Sequence, residues 1–276
     1  MLVTDLARRT GPLSRLRVAE QTSAGESLRE DQVVAEEPLE IRLAWPGAEP
    51  RRAWVTMRTP GQDFELAAGW AFHEGFVGLV GPTEVAYCTD EDLTPEEEFN
   101  VVTLRTVAAV DLGHRHDALS TGSSACGVCG KDSIEAALAT VRGTRWTGPG
   151  PQPDVVRRLP ALLRREQSVF ARTGGVHAAG LFTADGEPHV VREDVGRHNA
   201  VDKVSGARIL GDHSPADAYL VVSGRAGFEL VQKAVAAGVG SLVAVGAPSS
   251  LAVHLAREAG LGLFGFTREE RTVRYA

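Results

Sequence analysis

Two cysteines, Cys126 and Cys129, lie in the segment Thr-Gly-Ser-Ser-Ala-Cys-Gly-Val-Cys-Gly-Lys, and the whole chain holds one further cysteine. Glycines on both sides of the pair permit loop conformations that present the sulfurs to a partner. Lys131 follows at once, and Asp132 with Glu135 has the pattern of a capping box that opens a helix. A helix N-terminus and a nearby ammonium group both favour the thiolate, which is the form that attacks sulfur. The segment therefore indicates thiolate chemistry.

Two other chemistries fit the same pair of cysteines. A structural zinc site needs four ligands, so it would have to recruit Cys88 with a histidine, or His114 and His116 from the upstream His-Arg-His. A dithiol oxidoreductase also uses Cys-x-x-Cys, but the thioredoxin-like fold expects the pair after an early strand. Here the pair lies in the middle of the chain, after a strand-rich region. Both alternatives stay open at this point.

The composition of the chain restricts the class of protein in which this chemistry takes place. The chain has 276 residues, 43% of them hydrophobic, and a formal net charge of −7, which is typical of a globular protein with one large domain or two small ones. No apolar window has the length of a membrane span, and the N-terminal residues lack the apolar core of a signal peptide. We therefore expect a cytoplasmic protein with reduced cysteines and no membrane partner. Lysines and arginines form no basic stripe, which argues against a nucleic-acid partner.

The elements that must position these residues fall into two halves. Residues 1–30 are polar and without periodicity, so we expect a loose lead-in. Residues 31–112 are predicted to form a smaller β-rich subdomain of α+β type, and residues 113–276 an α/β domain that carries a mobile cysteine loop at 113–131. In the first of these, the strand-like runs are Glu40–Trp45, Ala53–Met57, Glu84–Cys88 and Val101–Val107, and a helix covers Asp63 to about Phe76.

The second half alternates strands and helices. Val176–Thr183 and His189–Arg192 flank Asp185-Gly186, which is a hairpin signal. The pattern then runs β-α-β-α-β, which predicts a parallel sheet covered by helices, with ligands at the carboxyl ends of the strands. Its strands are Tyr219–Val222, Ser241–Val245 and Leu261–Phe266, and its helices are Phe228–Ala237 and Ser249–Ala259.

Three loops at or near those strand ends carry groups that suit an anion. The first loop, from Ser223 to Gly227, joins a strand to a helix start. It offers backbone N–H groups and a guanidinium, although an ordinary tight turn also explains it. The second loop, from Arg192 to Asn199, is dense in polar groups beside an apolar strand. The third is the arginine-containing C-terminal segment Phe266–Arg271. His177, which follows two glycines, is expected on the same side of the sheet. The candidate ligand-binding residues in these loops are Ser223, Gly224, Arg225, Arg197, His198, Lys203, Phe266, Thr267, Arg268, Glu269, Glu270 and Arg271.

The order of four motifs resembles one known family. Cys-Gly-Val-Cys-Gly-Lys, Thr-Gly-Gly-Val-His-Ala-Ala, Glu-Asp-Val-Gly-Arg-His-Asn-Ala-Val-Asp-Lys and Ser-Gly-Arg before a helix are similar to those of the formate dehydrogenase accessory sulfurtransferases, the FdhD family. The resemblance covers residues from about 30 to the end. It implies a mixed-sheet fold similar to that of cytidine deaminases, with flanking helices, and a homodimer.

The resemblance also implies a function. Members of the family carry sulfane sulfur from a cysteine desulfurase to the molybdenum cofactor, bis-molybdopterin guanine dinucleotide, before its insertion into formate dehydrogenase. Cys126 takes the position of the persulfide cysteine, Cys129 that of an assisting cysteine, and Phe266–Arg271 that of the terminal cofactor-binding stretch. Glu269 and Glu270 depart from the small residues common in that stretch, so we expect them to point away from phosphates. Deaminase chemistry is not expected, because no His-x-Glu motif precedes the cysteines.

Overall fold

A long antiparallel hairpin opens the part of the chain that the computed structural model describes, which is residues 10–88, 99–112, 138 and 144–276. Strand β1 (Leu13–Thr22) pairs along its whole length with β2 (Gly25–Val34). The expectation of a loose lead-in is therefore wrong for residues 13–30. Most of these side chains are exposed on both faces of the hairpin, so the apolar alternation that marks a half-buried strand is missing from the sequence.

A four-stranded sheet and one helix follow, as the sequence predicts. The strands lie in the order β4-β3-β6-β5, with β3 and β6 parallel and the other pairs antiparallel. Alternate side chains of β3, Leu39, Ile41 and Leu43, are completely buried, which is the period-2 pattern of a strand with one face on a core. The bounds are β3 (Glu37–Ala44), β4 (Arg51–Arg58), α1 (Asp63–Glu74), β5 (Glu84–Tyr87) and β6 (Val101–Arg105).

A six-stranded mixed sheet organises the second half. Its first elements are α2 (Pro153–Arg165), α3 (Ser168–Thr173), β7 (His177–Phe182), β8 (Pro188–Asp194) and α4 (Arg197–Leu210). The remaining elements are β9 (Tyr219–Val222), α5 (Phe228–Ala237), β10 (Ser241–Ala244), α6 (Ser250–Ala259), β11 (Gly262–Gly265) and β12 (Val273–Arg274). The strand order is β12-β11-β10-β9-β7-β8.

The predicted hairpin and the predicted parallel unit are both present in this sheet. Strands β9, β10 and β11 are parallel and are joined by α5 and α6, whereas β7 and β8 form the antiparallel hairpin beside β9. Strand β12, which pairs antiparallel with β11, was not predicted. Two residues of strand are too short to show a period in the sequence. The mixed α/β class is confirmed.

Helices cover both faces of the six-stranded sheet. One apolar cluster joins one face of the sheet to α4, α5 and α6 and continues through α1 into the four-stranded sheet. A smaller cluster packs α2 against the opposite face, through Val156, Leu159 and Leu163. The larger cluster contains residues from Leu39 to Leu263, so it crosses the predicted boundary between residues 112 and 113. The division into two subdomains stays a prediction.

Helices α1 and α4 cross at two glycines. A Cβ atom added to Gly69 would lie 1.9 Å from the Asp202 carbonyl oxygen, and one added to Gly206 would lie 1.8 Å from the Glu65 carbonyl oxygen. Neither distance is possible for a real carbon atom, so the two backbones touch only because both positions lack a side chain. None of the helices in residues 10–88, 99–112 and 144–276 is long and apolar enough to cross a membrane.

Candidate functional site at the carboxyl edge of the sheet

Three loops meet where β9, β10 and β11 end, at what we call the carboxyl edge. Ser223, Gly224 and Arg225 follow β9, Gly246 lies just beyond β10, and Phe266 follows β11. Backbone bonds join the loops: Gly246 N–H donates to the Gly224 carbonyl at 2.9 Å, and Phe266 N–H donates to the Gly246 carbonyl at 3.0 Å. Two of the predicted ligand-binding segments are therefore neighbours in space.

Gly246 is a residue of this site that sequence reasoning missed. A Cβ atom there would lie 2.9 Å from Arg225 Cγ and 3.0 Å from the Gly224 carbonyl oxygen. The absence of a side chain thus lets the loops after β9 and β10 pack directly on each other. The signal in the sequence was a glycine directly after a buried strand, the position at which a backbone approaches a neighbour closely.

His177 lies at the same edge because β7 runs antiparallel to β9 and begins there. Its Nδ1 atom is 3.5 Å from where a Cβ atom of Gly224 would stand, so the ring rests on the Ser223–Arg225 loop. The ring is half-buried. Burial, reinforced by the charges of Arg197 and His198, lowers the pKa of His177 below its ordinary value, and Asp194 opposes that shift. This environment favours the neutral imidazole.

The first turns of α4 and α5 are tied together beside His177. His198 Nε2 lies 2.7 Å from Glu229 Oε2, and hydrogen bonding to His198 is the main reason that the pKa of Glu229 is lowered. Glu229 was not singled out from the sequence, although an acidic residue in the first turn after the Ser-Gly-Arg loop was its signal. The pairing uses the carboxylate that would otherwise repel an anion.

Two helix N-termini open at this edge without a side-chain cap. Helix α4 begins after Gly196 and α5 after Gly227, and neither residue supplies an acceptor to the first turn. The N–H groups at a helix start and the helix dipole both favour bound anions. Arg197 and Arg225 stand beside these two starts, which adds cationic charge where the N–H groups converge.

The segment from Phe266 to Arg271 forms a turn between β11 and β12. Phe266 has a φ of 49° and is 41% exposed, with the Arg271 guanidinium carbon 5.9 Å from its ring centroid. The backbones of Arg268 and Arg271 exchange hydrogen bonds of 2.7 and 3.2 Å, so Glu269 and Glu270 fall at the exposed tip of the turn. A left-handed backbone is rare for a bulky residue and occurs at functional sites.

Two predicted ligand-binding residues are instead part of the interior. Lys203 is completely buried, and its Nζ lies 2.7 Å from Asp194 Oδ2 and donates to the Thr59 carbonyl at 3.0 Å. The side chain of Thr267 is also buried, with Oγ1 2.9 Å from Thr272 Oγ1. Neither side chain reaches the surface at the carboxyl edge, so both predictions of direct ligand contact are corrected.

The remainder of the polar run around Lys203 is likewise accounted for by the fold. The carboxylate of Glu193 accepts the backbone N–H groups of Val169 and Phe170, both at 2.8 Å, at the start of α3. Asp194 accepts from Thr59 N–H at 3.1 Å and from Asn199 Nδ2 at 3.0 Å. In this run, Arg197 and His198 are the predicted side chains that remain at the edge.

A second buried polar cluster joins α1, α4 and α5 behind the edge. Asp202 Oδ1 lies 2.6 Å from both His73 Nδ1 and Lys233 Nζ. Burial is the largest effect on His73 and lowers its pKa, although Asp202 opposes the shift. Within the described residues, His73 Nε2 has no hydrogen-bond partner. The cluster was not predicted, because its members are far apart in sequence.

The cysteine pair lies outside the described residues. The residues outside this range include Cys126, Cys129, His114 and His116. The geometry therefore tests neither the thiolate hypothesis nor the zinc hypothesis. Cys88 is described, and its Sγ accepts a hydrogen bond from Arg42 Nη1 at 3.6 Å. Among the residues that the structure describes, no group of three or more His, Cys, Asp and Glu side chains is arranged to hold a metal ion.

Fold and site together define a mixed α/β protein with an anion-suited, partly aromatic edge. A family model described as the FdhD/NarQ family matches residues 34–276, and this chain belongs to that family. A relative from Nocardia farcinica named sulfur carrier protein FdhD is 48% identical over 263 residues, covering 93% of this chain and 90% of the relative. A relative of the same name from Anaeromyxobacter sp. strain K is 44% identical over 292 residues, covering 99% and 96%.

The fold is shared with a crystal structure from Desulfotalea psychrophila described as a formate dehydrogenase accessory protein. The TM-score is 0.68, and the match covers 95% of this chain and 96% of that one. Sequence identity is 22%, so this likeness concerns the fold alone. The resemblance read from the four motifs is confirmed by the family model and the relatives.

Proposed function

We propose that this protein is a sulfur carrier that supports formate dehydrogenase. It accepts sulfane sulfur from a cysteine desulfurase as a persulfide on Cys126 and passes that sulfur to bis-molybdopterin guanine dinucleotide. Two observations outside the site support the proposal: the family membership, and relatives at 44–48% identity that carry the name sulfur carrier protein. The resemblance further implies a homodimer, which light scattering on the purified protein tests.

The observation within the structure that supports it best is the convergence at the carboxyl edge. Two uncapped helix starts, the residues Arg197 and Arg225 beside them, and the turn bearing Arg268 and Arg271 all lie at this edge of the sheet. Such a set suits the pyrophosphate groups of a dinucleotide. The exposed ring of Phe266 offers a stacking surface for a planar base or pterin. The molybdenum cofactor is the substrate here.

The sulfur transfer consists of two exchanges. The Cys126 thiolate attacks the outer sulfur of the donor persulfide, and the donor's inner sulfur leaves as a thiolate. Cys126 then carries a persulfide. In the second exchange, the Cys129 thiolate attacks Cys126 Sγ, which forms a disulfide and expels the outer sulfur as sulfide to the metal. The two electrons of the sulfide come from this dithiol, and a cellular thiol reductant must restore it for the next cycle.

The length of chain after the cysteines is compatible with delivery at this edge. The described chain resumes at Thr144, whose carbonyl oxygen lies 2.6 Å from where a Cβ atom of Gly238 would stand, just past the end of α5. Helix α5 has 10 residues and begins at the carboxyl edge, so it spans roughly 15 Å at about 1.5 Å per residue. Fourteen residues separate Cys129 from Thr144, and a chain of that number can reach farther than this length, since each residue adds up to about 3.3 Å.

Mass spectrometry of the intact protein tests the persulfide step. After incubation with a cysteine desulfurase and cysteine, wild type should gain about 32 Da per sulfur, removable by reductant. Cys126→Ala should gain none, and Cys88→Ala, the matched control, should gain as much as wild type. Cys129→Ala should gain the sulfur but fail to release it as sulfide. Absence of any gain in wild type, with a metal lost on chelation, would instead establish the zinc site.

Nucleotide binding tests the carboxyl edge independently of the cysteines. Guanosine diphosphate (GDP), as a stand-in for the nucleotide half of the cofactor, should bind wild type and Cys126→Ala equally. Arg225→Ala and Arg197→Gln should each weaken binding about tenfold or more, since each removes a charge-assisted hydrogen bond to phosphate. Arg157→Ala, on α2 at the opposite face of the sheet, is the control. Equal affinity in all variants would rule out this edge as the nucleotide site.

A further inference from the structure

We propose that His177 contacts the ligand's anionic group in its protonated form, so that ligand binding at the carboxyl edge takes up a proton. This inference rests on the proposed function, which supplies the anionic ligand. It assigns His177 a specific role, in which the imidazole becomes protonated when the ligand binds.

His177 lies beside positively charged side chains at the carboxyl edge. The ring lies on Gly224, in the loop that also carries Arg225, and the first turn of α4 brings Arg197 and His198 to the same side. In the described part of the chain, no carboxylate lies within ion-pair distance of the His177 ring. An added positive charge on the imidazole is therefore repelled from several sides while the site is free.

The two neighbouring carboxylates are both paired with other side chains. Asp194 lies opposite His177 in the β7–β8 ladder, but its carboxylate is held by Lys203 at 2.7 Å. Glu229, on α5, is held by His198 at 2.7 Å. Both carboxylates are thus engaged with other side chains, and neither is free to pair with a protonated His177. The free site lacks the counter-charge that protonated His177 needs.

An anion supplies that counter-charge. A phosphate group between the starts of α4 and α5 brings at least one full negative charge beside the ring, which favours the protonated imidazole. The pKa of His177 is lowered in the free protein by burial and by Arg197 and His198, so binding raises it from that low value. Between the free and the bound pKa, each binding event takes up a proton.

The sign of the pH dependence follows from this linkage. Below the free-state pKa, His177 is charged before and after binding, and affinity does not depend on its titration. As pH rises from the free-state pKa to the bound-state pKa, the dissociation constant for GDP increases, by at most about tenfold per pH unit. Above the bound-state pKa it is constant again. Binding is therefore tighter on the acid side of this window.

Titration calorimetry with GDP measures the proton directly. Wild type and His177→Gln are titrated at one pH in two buffers of unlike ionisation enthalpy, and the difference in observed heat gives the protons exchanged. GDP titrates by itself, so only the difference between wild type and variant is assigned to His177. We expect greater proton uptake in wild type, with His254→Gln, on the exposed face of α6, matching wild type. Equal proton exchange in wild type and His177→Gln would overturn the inference.

A second measurement does not depend on the variant folding. The His177 ring resonance, followed by NMR against pH, should give a higher pKa in the GDP-saturated protein than in the free one. An unchanged pKa, with GDP bound, would overturn the inference and leave the proposed function standing. Failure of GDP to bind wild type at any pH would contradict the nucleotide site itself, and the inference with it.

Discussion

Lys203 and Arg225 are both cations near the carboxyl edge, yet the structure uses them in opposite ways. Lys203 neutralises Asp194 where neither side chain is exposed, whereas Arg225 extends into solvent from the loop after β9. Removing one partner of a buried pair leaves a charge without compensation, which costs far more than removing an exposed one. Burial therefore separates residues of the fold from residues of the site.

Lys203→Met should lower the free energy of unfolding by about 3–5 kcal/mol, because Asp194 stays buried without a cation. Arg225→Ala should change it by less than about 0.5 kcal/mol, while weakening GDP binding. Urea unfolding and GDP titration of both variants measure these effects.

The double variant Lys203→Met with Asp194→Asn is the control, and it should be more stable than Lys203→Met alone. Wild-type stability in Lys203→Met would show that the pair does not hold the fold.

At this scale the sequence identified the polar run, but not which of its residues are buried and paired and which stay at the edge. The residues that satisfy Asp194 and Asn199 include Thr59 and Met57, which lie on the other half of the chain. Density of polar groups is visible in a sequence, but which groups are already paired depends on long-range contacts. His177, Arg197 and His198 lie at the strand ends, and their contact with a ligand stays a prediction. Lys203 belongs to the same polar run, but its burial against Asp194 has no local signal in the sequence.

Among the elements, the crossing of α1 and α4 determines how the two halves meet. Gly69 and Gly206 permit direct backbone contact, and the Asp202 cluster then ties α5 to the same pair of helices. Helix periodicity predicted α1 and α5, but it did not predict this crossing. A glycine inside a helix lowers the helix propensity of the segment. The two glycines that permit the backbone contact therefore make both helices harder to predict from the sequence.

Gly69→Ala should destabilise the protein by about 3 kcal/mol, since the added methyl group would force the helices apart. Gly78→Ala is the matched control, because a Cβ atom there meets nothing within 4 Å. Urea unfolding of both variants is the measurement. A Gly69→Ala protein as stable as the control would mean that the helices separate without loss.

Acid should weaken the Asp202 cluster through His73. Because burial holds the folded-state pKa of His73 below its ordinary value of 6.5, the unfolded chain takes up its proton first. Stability should thus be fully present above pH 6.5 and fall as pH drops through that value towards the folded-state pKa. The slope from this group is at most about 1.4 kcal/mol per pH unit. A proton added to Nε2 also meets no acceptor within the described residues.

Unfolding free energies measured between pH 5 and 7 test this expectation. His73→Gln should flatten the dependence, and His254→Gln should leave it unchanged. Any slope that remains in His73→Gln belongs to other groups, including His177, whose pKa is also lowered. Asp202 and Glu229, whose pKa values are lowered from 3.8 and 4.5, act below this range. An identical slope in His73→Gln and wild type would exclude His73 as the sensor.

For the molecule as a whole, the core is continuous across the two halves that the sequence suggested. Strand β3 in the first half and β11 in the second contribute side chains to one apolar cluster, with α1 and α4 between them. Composition and local pattern predicted the class of each half correctly. They carry no information on whether two patterns share one interior, because that depends on which helix faces which sheet.

A shared core predicts one cooperative unfolding transition. Single-tryptophan variants can report on each half: Trp70, which is buried in α1, and Trp146, which packs against Gly240 beside the amino end of β10. Fluorescence from both, and far-UV circular dichroism, should give the same urea midpoint. Two separate midpoints would establish the predicted subdomains as independent units.

The left-handed backbone of Phe266 lowers the stability of the fold, while its side chain belongs to the proposed site. Glycine adopts a φ of 49° without strain, whereas phenylalanine does not. Directed evolution that rewards only heat resistance would therefore enrich Gly at position 266, and the selected proteins would survive heating while losing the ring that we propose as the stacking surface. Engineers who want a hardier carrier should hold this position fixed in their libraries.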